Sequence, residues 1–215
     1  MFTGIIEALC PVVGFKPMAE SAMLSVDLGA LAQDAKPGDS ICVDGVCLTV
    51  SRIEATVTTF DVATETLGRT TLADCAAGRK LNVERSLRLS DRLGGHFVLG
   101  HVDGVGAISK MEKAPGQTLM HVRVAADLSA MMIPKGSVAL DGISLTIVEA
   151  TPSGFSVALI PTTLEMTTLG FKGAGDAVNV EGDIIGKWVK KLMGQGSAGD
   201  PGGLNMDQLR KAGFA

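Results

Sequence analysis

Two matching segments each carry a pair of reactive or hydrogen-bonding side chains two residues apart: Cys47 and Thr49 in DGVCLTV, Ser144 and Thr146 in DGISLTI. On a strand such pairs share one face, so each segment can aim its thiol and hydroxyl groups into a single pocket. The stretch GGHFVLGH adds His96 and His101, which together invite a metal reading, and the His101 imidazole belongs to a residue type that titrates near neutral pH and carries protons in either direction. Their spacing does not make a metal pair. It puts them on opposite faces of a strand and off the i, i+4 register of a helix, with no third ligand nearby, so no metal is expected. Cys47 has no His or basic residue beside it in sequence to lower its thiol pKa, which argues against a covalent role. Cys10, Cys42, Cys47 and Cys75 form no CxxC pair and read as reduced cytosolic thiols. Gly194, Gly196 and Gly199 spell GxGxxG, but a helical pattern precedes them and Pro201-Gly202-Gly203 follows, so the stretch reads as linker rather than a nucleotide loop.

The elements that position these residues occur twice. DGVCLTV at 44 to 50 returns as DGISLTI at 141 to 147, TETLGRTTL at 64 to 72 as PTTLEMTTL at 161 to 169, and NVE at 82 to 84 as NVE at 179 to 181, each 97 residues later (141 minus 44). Three matches in one register are the mark of a duplicated unit. Asp44-Gly45 and Asp141-Gly142 each stand between apolar runs and predict hairpins. Val57 to Val62 alternates apolar and polar residues as a half-buried strand does, and SVALI before Pro161 answers it. Short strands with Gly and Asp punctuation fit a sandwich or a small barrel, and closing the barrel removes exposed edges. DLSAMMI at 127 to 133 reads as a short helix opened by an Asp cap, with DLGALAQ from Asp27 as its counterpart and SLRLSDRLGG from Ser86 as a connector. Ile184, Ile185, Trp188, Val189, Leu192 and Met193 then line one face of an amphipathic helix whose other face carries Lys187, Lys190 and Lys191; a subunit contact is the expected use of that stripe. GQGSAGDPGG, at 194 to 203, has flexible linker composition.

Composition narrows the function. With 215 residues, 46% of them hydrophobic, the chain builds substantial cores, and its net charge of -4 leaves no excess cation for a phosphate backbone, so nucleic acid is not an expected partner. With 4% aromatic residues and no Tyr, stacking platforms are scarce. No stretch reaches the apolar length of a membrane span, and the first residues lack a basic leader pattern, so a soluble cytoplasmic protein is expected.

MFTGIIE at the start, DGVCLTV, GGHFVLGH, and DGISLTI with IPTTLEMTTLG together closely resemble the riboflavin synthase family, over residues 1 to about 192. The resemblance implies an all-β fold of two similar six-stranded Greek-key barrels from an internal duplication plus a C-terminal α-helix. The divisions are 1 to 97, 98 to 183, a trimerisation helix at 184 to 193, and a tail at 194 to 215. It implies a transferase that dismutates two molecules of 6,7-dimethyl-8-ribityllumazine without cofactor or metal, giving riboflavin and 5-amino-6-ribitylaminouracil. The chemistry falls between the N-terminal barrel of one subunit and the C-terminal barrel of its neighbour in a homotrimer, with a functional link to lumazine synthase. The rival reading is a non-catalytic lumazine or flavin carrier, which needs only one competent pocket per chain.

Site residues follow from the same resemblance. In the first half they are Phe2, Thr3, Gly4, Ile5 and Ile6, then Ser40, then Cys47, Leu48 and Thr49, and a loop of Asp61, Val62, Ala63, Thr64, Glu65 and Thr66. In the second half they are Gly100, His101 and Val102, then Lys135, then Ser144, Leu145 and Thr146, and a loop of Ala158, Leu159, Ile160, Pro161, Thr162 and Thr163. His101, Ser144, Thr146, Cys47 and Asp183 are the expected catalytic set. His101 is the first candidate for proton transfer, the SLT and CLT hydroxyls and thiol for binding the heterocycle and holding a nucleophile at C7, and Asp183 for anchoring ribityl hydroxyls or orienting a proton carrier. Lys135 complements an anionic form of the lumazine. At the repeat offset, Gly4 is set against His101, Gly38 against Lys135, Cys47 against Ser144 and Glu65 against Thr162.

Overall fold

The computed structural model describes residues 1–195 and Arg210. Its strands close into two barrels of six. The first is β1 (Ala8–Pro17), β2 (Ser21–Asp27), β3 (Ser40–Val43), β4 (Val46–Glu54), β5 (Val57–Ala63) and β6 (Lys80–Arg85), in spatial order β1-β2-β5-β4-β3-β6. The second is β7 (Gly104–Ala114), β8 (Gln117–Arg123), β9 (Ser137–Leu140), β10 (Ile143–Thr151), β11 (Gly154–Leu159) and β12 (Ala177–Gly182), closed in the same cyclic order. Because β2 lies beside β5 and not β3, the chain crosses the barrel end between β2 and β3, which makes each barrel a Greek key.

Local chemistry explains the strands. In β2 every second residue, Ala22, Leu24 and Val26, is buried, so one face lines the core. Asp44 and Gly45 both have positive φ (46° and 82°), as do Asp141 and Gly142 (46° and 81°), which is the backbone a tight two-residue hairpin needs. Each barrel has its own core, around Leu24, Ile41, Phe60 and Leu81 in the first and Met120, Leu140, Val157 and Val180 in the second. A third, small cluster joins them: Phe2, Cys42, Val98 and Ala139, with Cys47 packed against it.

Three sequence readings change. The helix expected over 127 to 133 is α2 (Ala126–Ser129), starting one residue early with Asp127 inside its first turn and no side-chain cap. The two site loops are not loops. Asp61 to Ala63 end β5 and Thr64 to Thr66 open α1 (Thr64–Arg69), while Ala158 and Leu159 end β11 and Pro161 to Thr163 open α3 (Pro161–Met166). The single repeat offset also fails before β3. Gly4 and Gly100 both have φ 77° and both donate from N to a buried glutamate, Glu84 and Glu181, so their offset is 96 (100 minus 4). Gly4 is therefore the twin of Gly100, and Ile5 of His101. One extra residue in the second connector, between Val124 and Lys135 compared with Leu28 and Gly38, restores 97 from there on.

The two hairpin tips meet at the junction of the barrels. A Cβ on Gly45 would stand 2.6 Å from Gly142 N, and one on Gly142 would stand 2.9 Å from Gly45 N. Asp44 and Asp141 are wholly buried there. Asp44 accepts from Asn82 N at 2.7 Å and from Arg79 at 3.3 Å; Asp141 accepts from Asn179 N at 2.8 Å and from Lys172. Each buried charge thus has a cation from its own barrel. Burial first, and then the neighbouring Asp141, push the Asp44 carboxyl up to about 7.

After the barrels comes α4 (Ile184–Gln195), most of it in a separate compact unit that begins at Ile185. Lys191 Nζ stands 5.5 Å from the centre of the Trp188 ring. No helix among the described residues is long and apolar enough to cross a membrane. Residues 196 to 203 of the predicted linker lie outside the described residues.

Candidate active site

Each barrel presents one polar outer face on its β3–β4 or β9–β10 hairpin. On β4, Leu48 and Val50 turn into the core while Cys47 and Thr49 turn out; the burial pattern of β10 repeats this with Leu145 and Ile147 inward, Ser144 and Thr146 outward. Ser40 pairs with Thr49, and Asp61, on neighbouring β5, is exposed and accepts from Ser51 Oγ at 2.6 Å. The stagger that aligns Thr49 with the end of β5 comes from a bulge between Val50 and Arg52, and β10 has its counterpart between Ile147 and Glu149.

The segments flanking these faces are exchanged between the barrels. Ser144 N, in the second barrel, donates to the carbonyl of Gly4 at 2.8 Å; Cys47 N, in the first, donates to the carbonyl of Gly100 at 2.9 Å. Ile6 packs against the second core and Val102 against the first. Phe2 and Val98 exchange backbone hydrogen bonds where the two segments cross. The first-half residue Gly4 therefore borders Ser144 and the second-half residue Gly100 borders Cys47, while Thr3 and Ile5 also line a cavity with Ser40 of the first barrel. Two carboxylates hold the crossed segments. Glu84 accepts from Thr3 N and Oγ1, both at 2.6 Å, and from Gly4 N at 2.9 Å; Glu181 accepts from the backbone N–H of Leu99, Gly100 and His101 at 2.8–3.0 Å. Burial pushes the Glu84 carboxyl up, and the hydrogen bonds from Thr3 and Gly4 pull it back in part.

Ser144 has a partner that sequence reasoning weighed only as a metal ligand. His96 Nδ1 lies 2.7 Å from Ser144 Oγ, and the ring is buried, fixed through its backbone N–H to Thr3 O at 3.1 Å. Burial lowers the His96 pKa and so favours neutral imidazole, while Asp183 opposes this by raising it. Asp183, half-buried after β12, is thus close enough for its charge to be felt at His96. Gly95 is required here: a Cβ on it would stand 2.2 Å from Thr3 O and 2.8 Å from Ser144 Oγ. The missed signal was GGH itself, two glycines that let a histidine approach a strand closely. No imidazole partner for Cys47 occurs among the described residues.

Other expected residues fall into clear groups. Leu48, Val62, Leu145 and Leu159 are inward core side chains and Phe2 is wholly buried at the crossing, so only their backbone can meet a ligand. Ala63, Thr64, Glu65 and Thr66 form the corner where β5 enters α1, with Glu65 paired to Arg69 at 3.4 Å. Ala158, Ile160, Pro161, Thr162 and Thr163 form the twin corner into α3, with Ile160 exposed. Lys135 lies in the turn before β9, at φ 69°, its N–H donating to Ile147 O. His101 is exposed one residue beyond the Gly100 carbonyl that holds Cys47. Neither described cavity, of about 660 Å³ beside Asp34, Ser40, Arg85 and Arg92 and about 290 Å³ beside His121 and Ser156, includes Cys47, Thr49, Ser144 or Thr146. On these faces Cys47 and Ser144 are half-buried and Thr49 and Thr146 are exposed. Among the described residues no three His, Cys, Asp or Glu side chains are grouped to hold a metal.

Comparison with known proteins agrees with this duplicated arrangement. The model of the family described as lumazine binding domain matches twice, at residues 3–86 and 99–183. The chain is 39% identical to riboflavin synthase of Actinobacillus pleuropneumoniae over 215 residues, all of both chains. The chain belongs to the riboflavin synthase family. It is also 37% identical to the Bacillus subtilis riboflavin synthase over 193 residues, 90% of each chain, and 40% identical to that of Mycobacterium tuberculosis over 202 residues, 90% of this chain and 98% of the other. Crystal structures of LumP share the fold: the complex with 6,7-dimethyl-8-(1'-D-ribityl) lumazine has TM-score 0.76 at 21% identity, covering 84% of this chain and 98% of that one. The riboflavin complex has TM-score 0.79 at 22% identity, covering 85% and 99%.

The crossing makes Gly4 a sharp probe of the second face. A Cβ at Gly4 would stand 2.6 Å from Ser144 Cβ, and its φ of 77° disfavours any L side chain. We expect Gly4→Ala to displace Ser144 and weaken ligand binding at the second barrel by about tenfold or more, with binding at the first barrel changed far less. Isothermal titration resolves this, and equal loss at both barrels would contradict the crossed assignment.

Proposed function

We propose that the chain dismutates two molecules of 6,7-dimethyl-8-ribityllumazine to riboflavin and 5-amino-6-ribitylaminouracil. The observation that carries this reading is a pair of complete but unequal faces, of which one alone has the His96–Ser144 contact. Two identical reactants need two similar binding surfaces, and donor and acceptor need different proton chemistry. One lumazine loses a proton from its C7 methyl to give a delocalised carbanion, and C7 of the other takes a nucleophile. The atoms of two lumazines account for both products, so no cofactor or metal is called for.

Neutral His96 is placed to accept the Ser144 proton, making Ser144, or a water it holds, the nucleophile at C7. Thr146 and Thr49 present hydroxyls to the heterocycles from the same strand faces as Ser144 and Cys47, and His101 serves as proton carrier at the first face. Asp183 orients His96, and Lys135 meets negative charge on the bound lumazine.

Such a reaction needs water excluded from between the reactants, and a face whose Thr49 or Thr146 is exposed does not do this alone. The reading therefore places the first face of one subunit over the second face of a neighbour in a homotrimer, working in the cytoplasm with lumazine synthase as the functional link. The exposed Ile185, Trp188, Val189, Leu192 and Met193 of α4 supply an apolar subunit contact. In this division 1–97 and 98–183 are the binding units, 184–193 the trimer helix and 194–215 the tail.

The test is incubation of the purified chain with 6,7-dimethyl-8-ribityllumazine alone, with chromatography over time and a parallel binding titration. Riboflavin and the aminouracil in equal amounts, with two lumazines bound per chain, support the reading. Tight binding of one lumazine per chain with no product would make the chain a carrier.

A further inference from the structure

The strands β6 and β12 each place one asparagine at the junction, Asn82 and Asn179, with 0% and 1% exposure. The backbone of each serves its own barrel. Asn82 N donates to Asp44 Oδ1 and Asn82 O accepts from Asp44 N; Asn179 repeats this with Asp141. The side chains do the opposite. Asn82 Nδ2 donates to Asp141 O at 2.9 Å and to Thr168 Oγ1 at 2.8 Å, while Asn82 Oδ1 accepts from Thr168 N at 2.8 Å. Asn179 Nδ2 donates to Asp44 O at 2.7 Å, and Asn179 Oδ1 accepts from Thr71 N at 2.8 Å.

The groups so held bracket the ligand faces. Asp141 opens the hairpin three residues before Ser144, and Thr168 closes the helix corner that carries Thr162 and Thr163. A single amide in the first barrel therefore ties together the two pieces of chain that frame the second face. Asp44 and Thr71 stand in the same relation to Cys47 and to the Thr64–Thr66 corner. We propose that Asn82 and Asn179 are positioning residues acting across the junction, Asn82 setting the geometry of the second barrel's ligand face and Asn179 that of the first.

The physical reason for a crossed effect is where the orphaned groups would lie. Removing the Asn82 amide strands Thr168 N and Asp141 O, both in the second barrel, whereas the first barrel keeps every backbone bond that Asn82 makes. Buried polar groups stripped of partners move to find others or draw in water, and the frame around Ser144 loosens with them.

This inference rests on the reading that each face binds a lumazine. It is tested on the full-length protein with ¹³C-methyl-labelled threonine, Thr49 reporting the first face and Thr146 the second. In the free protein, Asn82→Ala should move the Thr146 methyl signal and leave Thr49 in place, and Asn179→Ala should do the reverse. In titration with 6,7-dimethyl-8-ribityllumazine, Asn82→Ala should weaken binding reported by Thr146 about tenfold or more while Thr49 reports a change within about twofold, with the mirror result for Asn179→Ala. If either alanine variant fails to fold, Asn82→Asp and Asn179→Asp still accept from the threonine N–H but no longer donate to the aspartate carbonyl, and the same crossed pattern is expected. Uncrossed or equal effects at both faces overturn the proposal. Absence of any lumazine-induced shift in the wild-type protein overturns the binding reading instead, and the free-protein spectra then still decide whether the two asparagines act across the junction.

Discussion

Replacing Asp44 should expose a pH-dependent weakness at the junction of the barrels. In the folded chain its carboxyl is pushed from an ordinary 3.8 to about 7, by burial first and by Asp141 second, against the opposing pull of Lys172, Asn82 N–H and Arg79. The folded state thus binds a proton more tightly than the unfolded chain does. The stability that this proton contributes is fully present below about pH 3.8 and is lost as pH rises through about 7. The wild-type melting temperature should therefore lose the Asp44 contribution as pH rises from about 4 to about 7 and level off above that. Asp44→Asn keeps an oxygen for Asn82 N–H and a residue type that tolerates positive φ, while Arg79 retains Thr71 O and Oγ1 at 3.1 and 3.2 Å. It should flatten most of that slope. Asp44→Ala instead strands Asn82 N–H and forces alanine to φ 46°, costing about 3 kcal/mol, or about 6–12 °C for a chain of this size. Thermal melts of the three proteins across that pH range decide the matter. A flat wild-type profile, or an Asp44→Ala protein melting with the wild type, would refute it.

The second large effect concerns the His96–Ser144 contact. Ser144→Ala removes the hydroxyl but leaves the Ser144 N–H to Gly4 O bond and the strand intact, so lumazine affinity at the second face should change by less than about fivefold. Turnover should fall by about 10²- to 10⁴-fold if the hydroxyl holds the C7 nucleophile. His96→Ala should match it, and the double variant should be little worse than the poorer single one, because the two act as a unit. The pH profile supplies an independent readout. Burial lowers the His96 pKa and keeps the imidazole neutral, so the acidic limb of the wild-type turnover should lie below the usual imidazole range near 6.5 and should vanish in His96→Ala. Near-normal turnover in Ser144→Ala would remove Ser144 from the chemistry.

Much of this protein was legible in one dimension. The DG tips, the alternation in β5 and the internal repeat are local or self-referential signals, so they specify two similar β units, their hairpins, and the side chains at 47, 49, 144 and 146 that share faces; the choice of barrel over sandwich came with the family resemblance. Those signals say nothing about how the two units exchange segments. A repeat written as one offset set Gly4 against His101, and only the shared φ of 77° and the Glu84 and Glu181 contacts reveal that Gly100 is the twin of Gly4. His96 shows the same limit. Ser144 lies 48 residues further along the chain, and no periodicity of 2 or 3.6 records a contact across that distance. The two asparagines are the clearest case. NVE was visible as a repeated string, but its meaning depends on a backbone that bonds within one barrel and a side chain that bonds into the other. The residue types decided by themselves what each unit would be. The closure of the two barrels against one another decided which residues meet, because long-range contacts arise from the whole chain's packing and not from the pattern of any segment.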